Sequence, residues 1–158
     1  MQSRPRSAIV IVASTRAASG VYEDKSGPIA AEFLRAQGLE VEVRVVPDAD
    51  IAAAVDAAFA DAPAVLLTSG GTGVTPDDQT VEAIAPHLTK ELPGLAWAFY
   101  AASAAVPTAV ISRTIAGVTE RTFAMALPGS TGGVKDGCRV LEPVLPHILD
   151  QLEGTHGH

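Results

Sequence analysis

The stretch Ala64-Val-Leu-Leu-Thr-Ser-Gly-Gly-Thr-Gly-Val-Thr-Pro-Asp-Asp78 runs a short apolar strand straight into glycines, hydroxyls and an aspartate pair. Glycine weakens regular structure and neighbouring aspartates repel, so such an exit from a strand points to a site built there. Ser69-Gly-Gly-Thr-Gly73 falls at the carboxyl end of a buried strand, where open α/β sheets bind ligands. Glycines let backbone N–H groups turn toward an anion and carry no Cβ to block its approach. The loop is not a Walker A sequence, since no Gly-Lys-Ser/Thr closes it, and not a GxGxxG turn. Alone it is a weak signal, with a flexible turn that binds nothing as the alternative. Asp77 and Asp78 shift that balance. One carboxylate is enough to cap the helix that begins near Thr80, a contribution of ~1 kcal/mol. A second one beside a phosphate loop is a usual means of holding Mg²⁺.

Upstream, Ser7 to Ser14 is short, β-branched and bounded by polar residues, as a fully buried strand should be. A loop from Thr15 leads to a helix over Pro28 to Gln37, with Pro28 at its first position and Gly38 just past its end. Leu39 to Val46 alternates, Val41, Val43 and Val45 against Glu40, Glu42 and Arg44, the pattern of a strand near a sheet edge. Asp48 or Asp50 serves as N-cap for a helix ending at Phe59, and Asp48 also falls on the rim that carries the glycine loop. Downstream, helices are expected over Val81 to Leu88 and Gly94 to Ala104, and strands over Thr108 to Ile111 and Thr122 to Leu127. A last helical region runs from Lys135 to Leu152, interrupted at Pro143. Strands alternating with helices predict a three-layer α/β/α fold on a mainly parallel sheet. Ser112 to Arg121 is short for a helical crossover, so the sheet is expected to be mixed, with one of the last two strands antiparallel. One domain over 1–153 and a frayed tail over 154–158 complete the expected organisation.

A chain of 158 residues buries a real core as one domain. A net charge of −7 with no basic stripe argues against nucleic acid, while leaving a phosphorylated small substrate open. Cys138 stands alone, so no internal disulfide forms, no metal spacing surrounds it, and a reducing cytoplasmic setting is the default. No apolar run reaches membrane-spanning length. MQSRPRSAIVIVAS has arginines ahead of an apolar run but no convincing cleavage site, and reads as the first strand. His87, His147, His156 and His158 lack metal or triad spacing, and the first two read as structural. Leu127-Pro-Gly-Ser-Thr-Gly-Gly-Val134 is a second glycine-rich turn, with Ser130 or Thr131 as a helix cap. Trp97, Phe99 and Tyr100 read as packing residues, with stacking on a flat heterocycle as the alternative.

Several segments, in this order, carry a family resemblance: Gly20-Val-Tyr-Glu-Asp-Lys-Ser-Gly-Pro28, Val46-Pro-Asp48, Thr68-Ser-Gly-Gly-Thr-Gly73 with Thr75-Pro and Asp78, Leu92-Pro-Gly94, Ser112-Arg113 with Ala116-Gly117, Leu127-Pro-Gly-Ser130 and Pro143-Val-Leu-Pro-His147. The chain resembles the molybdopterin adenylyltransferases of molybdenum cofactor synthesis, the Mog/MoaB family. The resemblance implies transfer of AMP from Mg²⁺-ATP to the molybdopterin phosphate, with pyrophosphate released, or a pterin-binding carrier without that activity. It places the family's functional aspartates, which hold the metal, on Asp48 and Asp78. Substrate and phosphate contacts fall on Thr68, Ser69, Gly70, Gly71, Thr72 and Gly73, on Ser112 and Arg113, and on Pro128, Gly129 and Ser130. A homotrimer and hand-over of product to a molybdate-inserting enzyme are implied as well, with neither nucleic acid nor membrane as partner. Three departures from the family's habit stand out, at four positions. Thr15 stands where an Asp is common, Trp97 and Tyr100 where a Glu and an Arg are common, and Thr131 where a Pro is common. The second departure fits either a swapped ion pair or a remodelled pterin pocket.

Overall fold

The computed structural model describes residues 6–154; the start of the N-terminal stretch, the tail from 155 onward, His156 and His158 lie outside them. The strands are β1 (Ser7–Ala13), β2 (Glu40–Val46), β3 (Val65–Ser69), β4 (Lys90–Glu91), β5 (Ala116–Val118) and β6 (Phe123–Leu127). The helices are α1 (Thr15–Ala18), α2 (Ser26–Ala36), α3 (Ile51–Ala60), α4 (Thr80–Ile84), α5 (Pro93–Ala102), α6 (Thr131–Leu141) and α7 (Leu145–Glu153). The strand order is β2-β1-β3-β6-β5-β4, and β1, β2, β3 and β6 all run parallel. β5 is antiparallel to both of its neighbours.

β1, β3 and β6 are buried in the middle of the sheet, which is why their sequences are apolar without alternation. Val10, Leu67 and Met125 pack on one face against Leu34 of α2, Phe99 of α5 and Leu141 of α6. Ile11, Leu66 and Ala124 pack on the other against Val55 of α3 and Ile84 of α4. The result is the expected α/β/α sandwich. β2 is an edge strand, but its alternation does not sort buried from wet: Val43 and Val45 are exposed, and no residue of the strand is fully buried.

Four local expectations are corrected. Thr108 to Ile111 is not a strand but part of a 3-10 turn, Pro107–Ile111. Pro107 opens the turn, and Val110 and Ile111, which imitate a strand in sequence, are 72% and 57% exposed. The true strand is β5, whose Gly117 lets β4 approach: a Cβ there would lie 2.5 Å from the Lys90 carbonyl oxygen. β5 and β6 form a hairpin whose turn is held by the Thr119 hydroxyl, which accepts from the N–H groups of Arg121 and Thr122. The short link therefore makes the sheet mixed, as expected, but between different residues. Second, α2 begins at Ser26 rather than Pro28, because the Asp24 carboxylate accepts from the N–H groups of Ser26 and Gly27. Gly38, at φ +89°, ends the helix as expected. Third, α6 begins at Thr131, with Ser130 as its cap: the Ser130 hydroxyl accepts from Gly133 N–H at 3.0 Å. Fourth, no aspartate caps α3 or α4 through its side chain.

Candidate active site

Because β1, β2, β3 and β6 point the same way, the chain following each of them arrives on one rim of the sheet. The glycine loop after β3 and the Pro-Gly-Ser loop after β6 are therefore neighbours. Gly70 N–H donates to the Leu127 carbonyl at 3.0 Å, and the Ser69 hydroxyl donates to the Pro128 carbonyl at 3.1 Å. Ser26, at the start of α2, donates its hydroxyl to the Gly129 carbonyl at 2.9 Å and ties the second loop to the first crossover.

The glycines are required by geometry. Gly70 and Gly71 have φ of +94° and +72°, a left-handed region that favours glycine. A Cβ on Gly70 would meet the Ala13 carbonyl oxygen at 2.4 Å, and one on Gly71 would meet the Thr80 hydroxyl at 2.0 Å. Every carbonyl of the next three residues is turned inward: Gly71 O accepts from Thr80 N–H, Thr72 O from Arg113 N–H, and Gly73 O from the Arg113 guanidinium. The N–H groups of Gly71, Thr72 and Gly73 have no acceptor among the described residues. Amides free and carbonyls tied is the polarity that an anion needs. Beneath the loop, the buried hydroxyls of Thr68 and Thr80 have no hydrogen-bond partner.

Arg113 reaches Gly73 O at 2.8 Å and Asp78 O at 3.0 Å, and pairs with Glu82. Three of its guanidinium N–H donors are used within the chain, so it braces the loop. Ser112 meets the Thr72 hydroxyl at 2.7 Å and receives the Tyr100 hydroxyl on its carbonyl at 2.7 Å. Tyr100, in the position of the family's arginine, is thus a half-buried support of the Ser112 segment. Trp97 is 70% exposed. Asp48 does not cap α3; its Oδ2 accepts from the Thr15 hydroxyl at 3.0 Å, and its N–H donates back to the same oxygen of Thr15 at 3.1 Å. Thr15 replaces a carboxylate with a neutral partner for Asp48. Asp78 closes its own turn, Oδ2 accepting from Thr75 N–H at 3.0 Å and from the Thr75 hydroxyl at 2.8 Å.

Asp48 and Asp78 do not line the same cavity. Asp48 shares a cleft of 430 Å³ with Thr15, Asp77 and Glu82. A second space of 340 Å³ adjoins the Pro-Gly-Ser loop, with Ser112, Pro128 and Ser130 in its lining. Sequence reasoning missed Ser26 and Thr15 as loop supports; the matched segment ending at Pro28 was the signal for Ser26, while the Thr15–Asp48 contact is made only by tertiary structure. His87 meets Asp56 at 2.6 Å and stacks on Phe59, and His147 meets Gln151 at 3.1 Å.

Fold and rim together define an open-sheet α/β domain with a ligand site at the carboxyl ends of its parallel strands. Residues 9–147 match the family described as "Probable molybdopterin binding domain", and the chain belongs to that family. It is 36% identical over 148 residues to the molybdopterin adenylyltransferase of Pyrococcus furiosus, covering 89% of this chain and 87% of that protein. It is 38% identical over 162 residues to the molybdenum cofactor biosynthesis bifunctional protein of Chlorobaculum tepidum, covering 98% of this chain and 50% of that one. The chain thus spans about half the length of the bifunctional relatives it matches. Among solved structures, the Mog protein from Mycobacterium ulcerans superposes with a TM-score of 0.89 at 44% identity, covering 96% of this chain and 99% of that one.

Proposed function

We propose that the chain is a molybdopterin adenylyltransferase of molybdenum cofactor synthesis. A phosphate oxygen of molybdopterin forms a bond to the α-phosphorus of ATP, the bond from that phosphorus to the bridging oxygen breaks, and pyrophosphate leaves with the electron pair. The observation that carries this reading is the glycine loop, with the amides of Gly71, Thr72 and Gly73 free beside rim carboxylates. Joining two phosphate esters needs positioning and charge neutralisation more than it needs a protein nucleophile. The loop amides take phosphate oxygens, and the hydroxyls of Thr72, Ser112 and Ser130 complete the cradle. Thr68 supports the loop from beneath.

No group of three or more His, Cys, Asp or Glu able to hold a metal ion exists among the described residues. Mg²⁺ takes one or two carboxylates and completes its shell with substrate phosphates and water. Asp48 and Asp78 do not line one cavity, so either would hold the ion singly, with the rest of its shell from phosphate oxygens and water, and it would supply charge neutralisation at the transferred phosphoryl group.

The same reading includes a homotrimer. α5 is apolar almost throughout, yet Phe99 is its one buried residue, and a helix that is hydrophobic all round belongs in an interior. The same reading carries with it a cytoplasmic setting and passage of the adenylylated product to a molybdate-inserting enzyme. The deciding experiment is ATP- and Mg²⁺-dependent conversion of molybdopterin to its adenylylated form, followed by mass, in wild type, Asp48→Asn and Asp78→Asn. Product from wild type and a loss of at least ten-fold in both variants is the expected outcome. Pterin binding without product in wild type would establish the carrier reading instead, which Thr15 in place of a carboxylate favours.

A further inference from the structure

β2 forms one edge of the sheet, and among the described residues no strand pairs with its outer side. Glu40 N–H donates to the Arg6 carbonyl and Ser14 N–H donates to the Val46 carbonyl, both at 2.9 Å, so the even-numbered residues of β2 turn their backbone groups toward β1. Successive residues alternate, and the N–H and C=O groups of Val41, Val43 and Val45 therefore point outward, with no partner among the described residues. A seven-residue edge of that kind is a template for another strand. The side chains sort in the same way. Val41, Val43 and Val45 lie on the face that α2 partly covers, with Val43 and Val45 still 36% and 37% exposed. Glu42 and Arg44 lie on the other face, where Arg44 meets Glu42 and Asp61 at 2.9 Å. Both bonds use Nη2, leaving Nη1 and Nε without an acceptor among the described residues.

We propose that β2 pairs antiparallel with β2 of a second copy of this chain, about a two-fold axis through Val43. Charge selects that register. Centring the pair on Glu42 sets this carboxylate against its own copy, and centring it on Arg44 does the same to the guanidinium. Centring on Val41 opposes Glu40 and Glu42, and centring on Val45 brings Pro47, which has no N–H, into the ladder. Only the register centred on Val43 sets Glu42 against Arg44 and Arg44 against Glu42. In that register Val43 faces Val43 and Val41 faces Val45, and these are the residues whose backbone groups point outward, so each facing pair exchanges two hydrogen bonds. The contact is isologous, and the carboxyl rims of the two copies point in opposite directions, so the candidate site of each stays open. Two edge strands bury less than a stable interface needs; the pair forms at high protein concentration and parts on dilution. It is separate from any contact of α5, which packs by β5 toward the other end of the sheet.

The test places a cysteine on the axis. Facing Cα atoms of a hydrogen-bonded antiparallel pair lie about 5.5 Å apart, within disulfide reach, so Val43→Cys should cross-link to its own copy. Val45 faces Val41 instead and stands about 14 Å from its own copy, so Val45→Cys should not. Each variant is oxidised with oxidised glutathione at high protein concentration, and covalent dimers are read on a denaturing gel; the native thiol, Cys138, is buried. Val43→Cys is expected to give about ten-fold more dimer than Val45→Cys, on geometry alone. Adding Glu42→Lys sets cation against cation and should cut the Val43→Cys yield several-fold. Equal yields from the two cysteines, no dimer from either, or indifference to Glu42→Lys overturns the proposal. Wild type supplies a measure that needs no variant to fold. Hydrogen exchange of the Val41, Val43 and Val45 amides should slow as protein concentration rises, while the amides of Glu42 and Arg44, already bonded to β1, hold constant. Outward amides that exchange equally fast at every concentration overturn the pairing, whatever the cysteines do.

Discussion

At the scale of single residues, Gly71 is the most constrained position of the glycine loop. Gly71→Ala combines a φ of +72° with a Cβ 2.0 Å from the Thr80 hydroxyl, so it should cost about 1–3 kcal/mol. Gly94→Ala, which meets nothing within 4 Å in α5, should instead stabilise by about 0.5–1 kcal/mol. Urea midpoints of the two variants check the contrast; a Gly71→Ala protein as stable as wild type would contradict it. Cys138 gives a prediction in pH. Burial pushes its thiol pKa up from 9.0 to about 11. The folded value lies above the unfolded one, so the associated stability is complete below pH 9 and is lost as pH rises toward 11. At neutral pH the group stays a protonated, inert thiol. Native protein should therefore resist iodoacetamide and denatured protein react, and equal rates would contradict the burial argument.

At the scale of elements, Arg113 joins the glycine loop to α4 through Gly73 O, Asp78 O and Glu82, a fan that only a guanidinium can make. Arg113→Lys keeps the charge and loses the fork. It should lower stability by about 1–3 kcal/mol and speed hydrogen exchange across residues 71–79, with exchange in β1 unchanged. Unchanged exchange in the loop would mean that the brace is dispensable. The central strands and both glycine loops were legible from sequence because their signals are local: unbroken apolar runs, then glycine and hydroxyl. β5 was not, since Ala-Gly-Val is too short to show a period, while Val110 and Ile111 counterfeit one on an exposed turn. The adjacency of the two loops depends on the direction of β6, which no local pattern encodes. Asp48 shows the same limit for the site: its position on the rim was readable and favoured a helix cap, whereas its carboxylate pairs with Thr15, a contact no local pattern encodes.

At the scale of the whole molecule, the exposed Trp97 on α5 reports on assembly, because it is the single tryptophan of the chain. Sedimentation should give the mass of a trimer, and dilution should red-shift the tryptophan emission as protomers separate. Trp97→Arg should yield monomers; a monomeric wild type would end the proposal that α5 is covered by other copies. The pairing of β3 with β6 has a different kind of consequence. The Ser69–Pro128 and Ser26–Gly129 contacts close over separations of 59 and 103 residues. Such contacts meet their chain-closure entropy before they return any energy, and they form late. The two loops of the candidate site thus depend on contacts that should form late. A nascent chain halted before β6 has neither loop in place, and in refolding the capacity to bind pterin should appear only with the slowest phase, after most of the helical signal has returned.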